Sequence, residues 1–256
     1  MRIARYLNKN GSPQYGWVFE NKIGPIEGSP YSEFRREEAT TPLEMVRLLA
    51  PVQPSKIICI GRNYAAHARE QNAEVPEVPL IFLKPPSSVI GPGKTILLPP
   101  QSQQVEHEAE LVVVIGKTGR WITPESAKEF ILGYTAGNDV TARDLQRKDG
   151  QWSRSKGFDT FCCLGPWIET EFDPADALIT CRVNNEMRQM GSTRDMIFQV
   201  NHLLAFVSSI MTLEAGDILM TGTPPGVSPL KPNDTVDVTI EGIGTLSNPV
   251  ATESGH

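Results

Sequence analysis

The chain has 256 residues, 39% of them hydrophobic, enough to bury the core of one large domain, with or without a small appendage. Its formal charge is −6 and it carries no basic cluster, which argues against nucleic acid as a partner. No apolar run approaches the roughly 18 residues of a membrane-spanning helix, so no membrane association is expected.

The N-terminal Met1–Leu7 lacks a signal-peptide apolar region. Cys59, Cys162, Cys163 and Cys181 form no CxxC pair. Reduced, buried thiols in a cytoplasmic protein are the simplest account of them. The 21 prolines and 21 glycines suit many short strands and turns.

In chain order, Arg2–Leu7 and Gly16–Phe19 read as strands, with turns at Asn10-Gly11 and at Ile23-Gly24-Pro25. Leu43–Leu49 follows Thr41-Pro42, the cap and first turn of a short helix. Pro51 and Pro54 mark a boundary, giving a small N-terminal β unit over 1–53 and a larger domain over 54–256. In the larger unit Ile57–Ile60 is a strand and Tyr64–Glu70 a short helix. A polar loop with two prolines follows over 71–79 and is expected to move. Further strands are expected at Leu80–Leu83, Thr95–Leu98, Val105–Ile115, Ile131–Asp139, Leu178–Val183, Asp217–Thr221 and Thr235–Ile240, with a hairpin turn at Asn184-Asn185. Arg194–Ile210 carries the apolar spacing of one long helix. The expected fold class is mainly β with few helices, an α+β arrangement.

Five stretches could carry chemistry. In Glu106–Ile115 the apolar tail is that of a buried strand, and Glu108 and Glu110 share a face about 6.5 Å apart. Carboxylates so placed repel unless a cation lies between them, and an oxygen-only donor set suits Mg²⁺ or Mn²⁺. The same pair also fits the solvated face of an edge strand. His107 falls on the opposite face and is a poor third ligand. In Gly137–Gln146 a strand ends near Asp139, and Arg143 and Gln146 share the face of a helix opening near Thr141. That segment suits recognition of a carboxylate, or a surface Asp139–Arg143 pair. His67 and Glu70, three apart on a helix, could form a base oriented by a carboxylate or an ordinary surface pair. Lys156 lies between polar residues and Gly157-Phe158 and could point into a cleft or into solvent. Thr221–Val227 is a glycine-bearing turn that can present N–H and hydroxyl groups to an anion, or serve only as a turn.

Taken together and in this order, GRNYAAH, HEAELVVVIG, GNDVTARDLQ, RSKGFDTFCCLGP and LMTGTPPGV resemble the fumarylacetoacetate hydrolase superfamily. The resemblance spans residues 57 to 227, and the first 50 residues resemble the small extra domain of many prokaryotic members. It implies a mixed β-sandwich roll, a homodimer, one Mg²⁺ or Mn²⁺ per subunit and a small 2-oxo acid as substrate. By position it implies Glu108, Glu110 and Asp139 as metal ligands, and His67, Glu70 and Lys156 as catalytic residues, the His–Glu dyad riding on a lid. It implies Arg143, Gln146, Gly222 and Thr223 at the substrate. Ile60 stands where longer eukaryotic members have a further metal-binding aspartate, so water is expected to complete the coordination.

A site of this kind supports hydrolysis of a C–C bond in an acylpyruvate-type 2-oxo acid through a pyruvate enolate, which is the expected reaction. Decarboxylation of oxaloacetate is the near alternative, and isomerisation of a hydroxymuconate-type dioate the third. A non-catalytic oxo-acid-binding protein would need none of His67, Glu70 and Lys156.

Overall fold

The computed structural model describes residues 1–253 and is mostly β, as expected. Its largest sheet runs, strand beside strand, through Phe34–Arg36, Lys22–Gly28, Pro13–Phe19, Arg2–Leu7, Cys162–Glu169, Ile131–Asp139, Ala109–Ile115, Ile218–Met220, Ile57–Gly61 and Leu80–Lys84. The N-terminal hairpins join it through two residue pairs, Arg2 with Glu169 and Ile3 with Ile168. A second sheet takes the order Ile96–Leu98, Gly244–Thr252, Thr235–Ile240, Leu178–Val183, Glu186–Ser192.

The central strand Ala109–Ile115 is buried along its whole length. Its odd-numbered residues, with Leu111 and Val113 among them, pack against Ile179, Val238 and Leu246 of the second sheet and Leu203 and Val207 of the long helix. Its even-numbered Val112 and Val114 face a second cluster with Ile57, Leu164, Ile218 and Ile3. A strand buried on both faces reads as a continuous apolar run, which is why Leu111–Ile115 lacks alternation. The reading of Glu108 and Glu110 as a solvated edge therefore falls: both lie inside.

Several elements differ from their sequence expectation. Val105–Ile115 is two strands, Val105–Glu106 and Ala109–Ile115, because the first pairs with Thr141–Ala142 and the second with Ile131–Asp139. The turn expected at Ile23-Gly24-Pro25 lies at Glu20-Asn21, both left-handed at φ 45° and 61°, and Gly24 sits inside a strand. The helix expected over Leu43–Leu49 is a single 3-10 turn at Leu43–Met45, because Arg47 and Leu48 pair with the first strand instead. The helix expected from Arg194 is α-helical only over Val200–Ile210. Asn63 captures the intervening backbone: its carbonyl accepts from Ile197 N–H at 2.8 Å and its Oδ1 from Phe198 N–H at 2.8 Å. Asn184 and Asn185 do form the expected hairpin turn, with φ of 52° and 67°.

No described helix is long and apolar enough to cross a membrane. All four cysteines are buried and free. Burial pushes the thiols of Cys162 and Cys181 up to about 12, and those of Cys59 and Cys163 well above the ordinary range. Nucleophilic chemistry at these sulfurs is thereby disfavoured. In the folded protein at pH 8, a thiol-specific disulfide reagent should label none of them, and all four after denaturation in guanidinium. Stoichiometric labelling of the native protein would show that one sulfur is accessible.

Candidate active site

Antiparallel register assembles the acidic cluster. Ala109 pairs with Asn138 and Glu110 with Gly137, while the Asp139 N–H donates to the Glu108 carbonyl at 2.9 Å. Asp139 thus stands across from Glu108, and Glu110 lies one alternation further along. Carboxylate oxygens of all three lie within 4.8 Å of one another, and each residue is at least 96% buried.

Cations crowd two of the three. Lys156 Nζ donates to Glu108 Oε2 at 2.8 Å and to Asp139 Oδ2 at 2.5 Å. Arg143 donates from Nη2 to Glu108 Oε1, from Nε to Glu106 Oε2 at 2.8 Å, and from Nη1 to Gln146 Oε1 at 2.6 Å. Burial raises the Glu108 carboxyl, but Lys156 and Arg143 outweigh it and hold the group well below the usual carboxylate range. Burial likewise disfavours the Lys156 ammonium, and Asp139 and Glu108 more than compensate, so its pKa is raised.

Glu110 is different. Its Oε2 accepts from Gly222 N–H at 2.8 Å, and among the described residues no cationic side chain pairs with it. Burial, then the charges of Asp139 and Glu108, push its pKa well above the normal carboxylate value. Three converging carboxylates with one left uncompensated fit a hard divalent cation, Mg²⁺ or Mn²⁺. Glu108, Glu110 and Asp139 would hold it.

A cavity of about 290 Å³ opens onto this cluster. His67, Gln71, Gln146, Lys156 and Thr223 line it with the triad. His67 Nδ1 lies 3.1 Å from Glu70 Oε2, and Gly226 N–H donates to the other oxygen of Glu70 at 2.9 Å. Both carboxylate oxygens are therefore engaged, and with the proton on Nδ1 the Nε2 lone pair is the basic position. The Arg143 guanidinium, expected near the substrate, lines the cavity and donates to Glu106, Glu108 and Gln146. Gly222 supports Glu110 through its N–H. Thr223 reaches the cavity, but its hydroxyl donates to Ala109 O at 2.8 Å and accepts from Gln189 Nε2 at 2.8 Å.

Sequence reasoning passed over four contributors. Lys84, with its side chain fully buried, pairs with Asp139 Oδ1 and donates to Val140 O at 3.3 Å. Its signal was alternation: Phe82 lines the cavity, and Lys84 shares its face of the strand. Glu106, which opens the stretch Glu106–Ile115 but was assigned no role, neutralises Arg143. Gln189, in the second sheet, uses all four of its hydrogen-bonding positions: Oε1 accepts from His107 Nδ1 at 2.9 Å and Ala109 N–H at 3.0 Å, and Nε2 donates to Thr223 and to Pro224 O. His107 is fully buried, bonded also to Ser228, and stands outside the triad, as its parity implied. Arg62 also lines the cavity. Gln189 and Arg62 are brought in by folding, with no spacing in the sequence to announce them.

Residues 56–251 match the family model described as "Fumarylacetoacetate (FAA) hydrolase C-terminal". The chain belongs to the fumarylacetoacetate hydrolase family. Residues 1–51 match a second model, "Rv2993c-like, N-terminal". Protein Rv2993c of Mycobacterium tuberculosis is 50% identical over 259 residues, covering 98% of each chain. The mitochondrial oxaloacetate tautomerase Fahd2a of Rattus norvegicus is 46% identical over 221 residues, covering 82% of this chain and 71% of that one. Among solved structures, 5-carboxymethyl-2-hydroxymuconate delta-isomerase from Mycobacterium smegmatis superposes with a TM-score of 0.91 at 45% identity, covering 99% of this chain and all of that one. The protein is thus an enzyme of this family acting on small molecules.

The uncompensated carboxylate gives a test of the metal site. Glu110→Gln keeps an acceptor for Gly222 and removes the repulsion. Without metal it should raise stability at neutral pH by on the order of 1 kcal/mol. Because the folded pKa of Glu110 lies above its unfolded value, the wild-type penalty is absent below about pH 4.5 and grows as pH rises toward the folded value. The advantage of the variant should therefore widen with pH. Mg²⁺ at a hundred times its Kd should stabilise the wild type by about 2.7 kcal/mol and leave Glu110→Gln almost unmoved. Thermal melts with and without Mg²⁺ from pH 5 to 8 check both. An equal metal response in the two proteins would remove Glu110 from the ligand set.

Proposed function

We propose that the protein interconverts the keto and enol forms of a small 2-oxo dicarboxylate of the oxaloacetate class. The observation that carries this reading is that a carboxylate-oriented histidine, a buried lysine and an acidic triad converge on one small cavity. A divalent cation on the triad would supply Lewis-acid charge beside the oxygens of a 2-oxo acid. Glu70 fixes the His67 ring, and Nε2 takes the proton from the carbon next to the keto group and delivers it to the enolate oxygen, or runs the same transfer in reverse. Lys156, itself buried, adds fixed positive charge near the oxygen that becomes negative. Proton relocation needs no further reactant, and relatives 46% identical to this chain are named oxaloacetate tautomerases.

The acylpyruvate hydrolysis expected from the sequence is the second reading. In it the same His67 Nε2 takes a proton from water, which then attacks the distal carbonyl. It is favoured by the shape of the site: Arg62, Phe82, Gly150 and Trp152 are shared between the cavity and an adjoining groove of about 510 Å³, which leaves room for a longer distal group.

The deciding experiment follows decay of the enol absorbance of oxaloacetate, and separately cleavage of acetylpyruvate, with Mg²⁺ or Mn²⁺. The expected result is metal-dependent tautomerisation that His67→Ala lowers by about 10² to 10⁴. Lys156→Met should also slow it. If the wild type cleaves acetylpyruvate and leaves the oxaloacetate tautomer ratio untouched, the second reading replaces the first.

A further inference from the structure

We infer that Arg62 selects the substrate by binding its distal carboxylate, the one away from the metal-binding triad. The inference deepens the proposed reading and rests on it for the class of substrate.

Arg62 is held by its neighbours. Gly61 ends the strand Ile57–Gly61 and lies flat against Trp152; a Cβ at this position would come within 2.5 Å of that ring. Asn63, fully buried, is anchored on the other side, with Nδ2 donating to Thr221 O at 2.8 Å and Phe198 O at 3.0 Å. Between these fixed points Arg62 takes the left-handed conformation, φ 56°. A non-glycine residue in that conformation is strained and persists only where the surroundings dictate it. The guanidinium lies over the Trp152 ring, 5.7 Å from its centroid, in the wall common to the cavity and the adjoining groove.

Its charge is uncommitted. Arg143 and Lys156 are bound to Glu106, Glu108 and Asp139, and Lys84 to Asp139. Arg147, also at the cavity, is exposed and donates to Gln104 Oε1 at 2.6 Å. Among the described residues Arg62 has no carboxylate partner, and none of them accepts from its side-chain donors. A planar fork stacked on an aromatic ring keeps its in-plane N–H groups available, and these match a carboxylate. The cations beside the triad serve the reacting end, and Arg62 is left for the far end.

The test separates the two ends of the ligand. Calorimetry on the Mg²⁺-loaded wild type, Arg62→Lys and Arg62→Gln would compare oxaloacetate, 2-oxobutanoate, which replaces the distal carboxylate with a methyl group, and oxalate, which presents only the chelating end. The wild type should bind oxaloacetate about 10- to 100-fold more tightly than 2-oxobutanoate. Arg62→Gln should bring that ratio close to one while its Kd for oxalate stays that of the wild type, and Arg62→Lys should fall between. Unchanged oxalate binding also shows that the variant is folded. A ratio preserved in Arg62→Gln, absent in the wild type, or lost together with oxalate binding would overturn the assignment. The tautomerase reading fails on a different measurement, the wild type's inability to change the rate of enol decay, whatever the binding ratio.

Discussion

Everything at the site follows from burying more carboxylates than cations. Glu106, Glu108, Glu110 and Asp139 face Lys84, Arg143 and Lys156, all almost wholly removed from water. Each such ion costs several kcal/mol in desolvation unless paired and hydrogen-bonded. Three of the carboxylates meet that condition and Glu110 does not. The chain therefore folds around a deficit of positive charge, and the deficit lies at the carboxylate beside Gly222. A neutral cluster would not call for a cation, and a more negative one would oppose folding in the absence of one.

Holding that imbalance requires a stiff frame, which a sheet covered on both faces supplies. The acidic residues stand where the strands end, so their backbones share the ladder while their side chains leave the apolar core. The frame is tied across layers by Gln189, which reaches from the second sheet to Ala109, between the two glutamates, and to Thr223. Its four hydrogen bonds fix the positions of Glu108, Glu110 and the Thr223 turn relative to one another. The six-residue helix Ala65–Glu70 has almost no stability of its own. It stays in place because Glu70 is held by Gly226 and Asn63 grips the segment before the long helix.

Local rules made much of this legible. Parity put Glu108 and Glu110 together and His107 apart, helical spacing joined His67 to Glu70, and apolar runs located most strands. What escaped was set by distant partners. The segment before Val200 has the apolar spacing of a helix, but Asn63 takes its N–H groups, and hydrogen bonds from across the chain override propensity. Arg143 has the chemistry of a carboxylate clamp, and only the fold reveals that the carboxylates it clamps are the protein's own. The resemblance supplied the triad's third member, Asp139; spacing alone left Asp139 open to pairing with Arg143 on the surface.

The cavity thus has two halves with different degrees of freedom. In the inner half each group is fixed by its neighbours, since changing Lys84, Arg143 or Lys156 removes one of three cations that face four buried carboxylates. The outer wall of Arg62, Phe82, Gly150 and Trp152 holds no carboxylate partner of the buried cations, and touches them only where the Phe82 ring lies 5.1 Å from the Lys156 ammonium. A charged inner half can therefore be kept while the outer half is altered to admit small molecules of different length. Relatives of similar fold that carry tautomerase and isomerase names are what such an arrangement allows. Substrate choice in this chain should then be read from the outer wall, where Arg62 supplies a charge that none of the inner carboxylates claims.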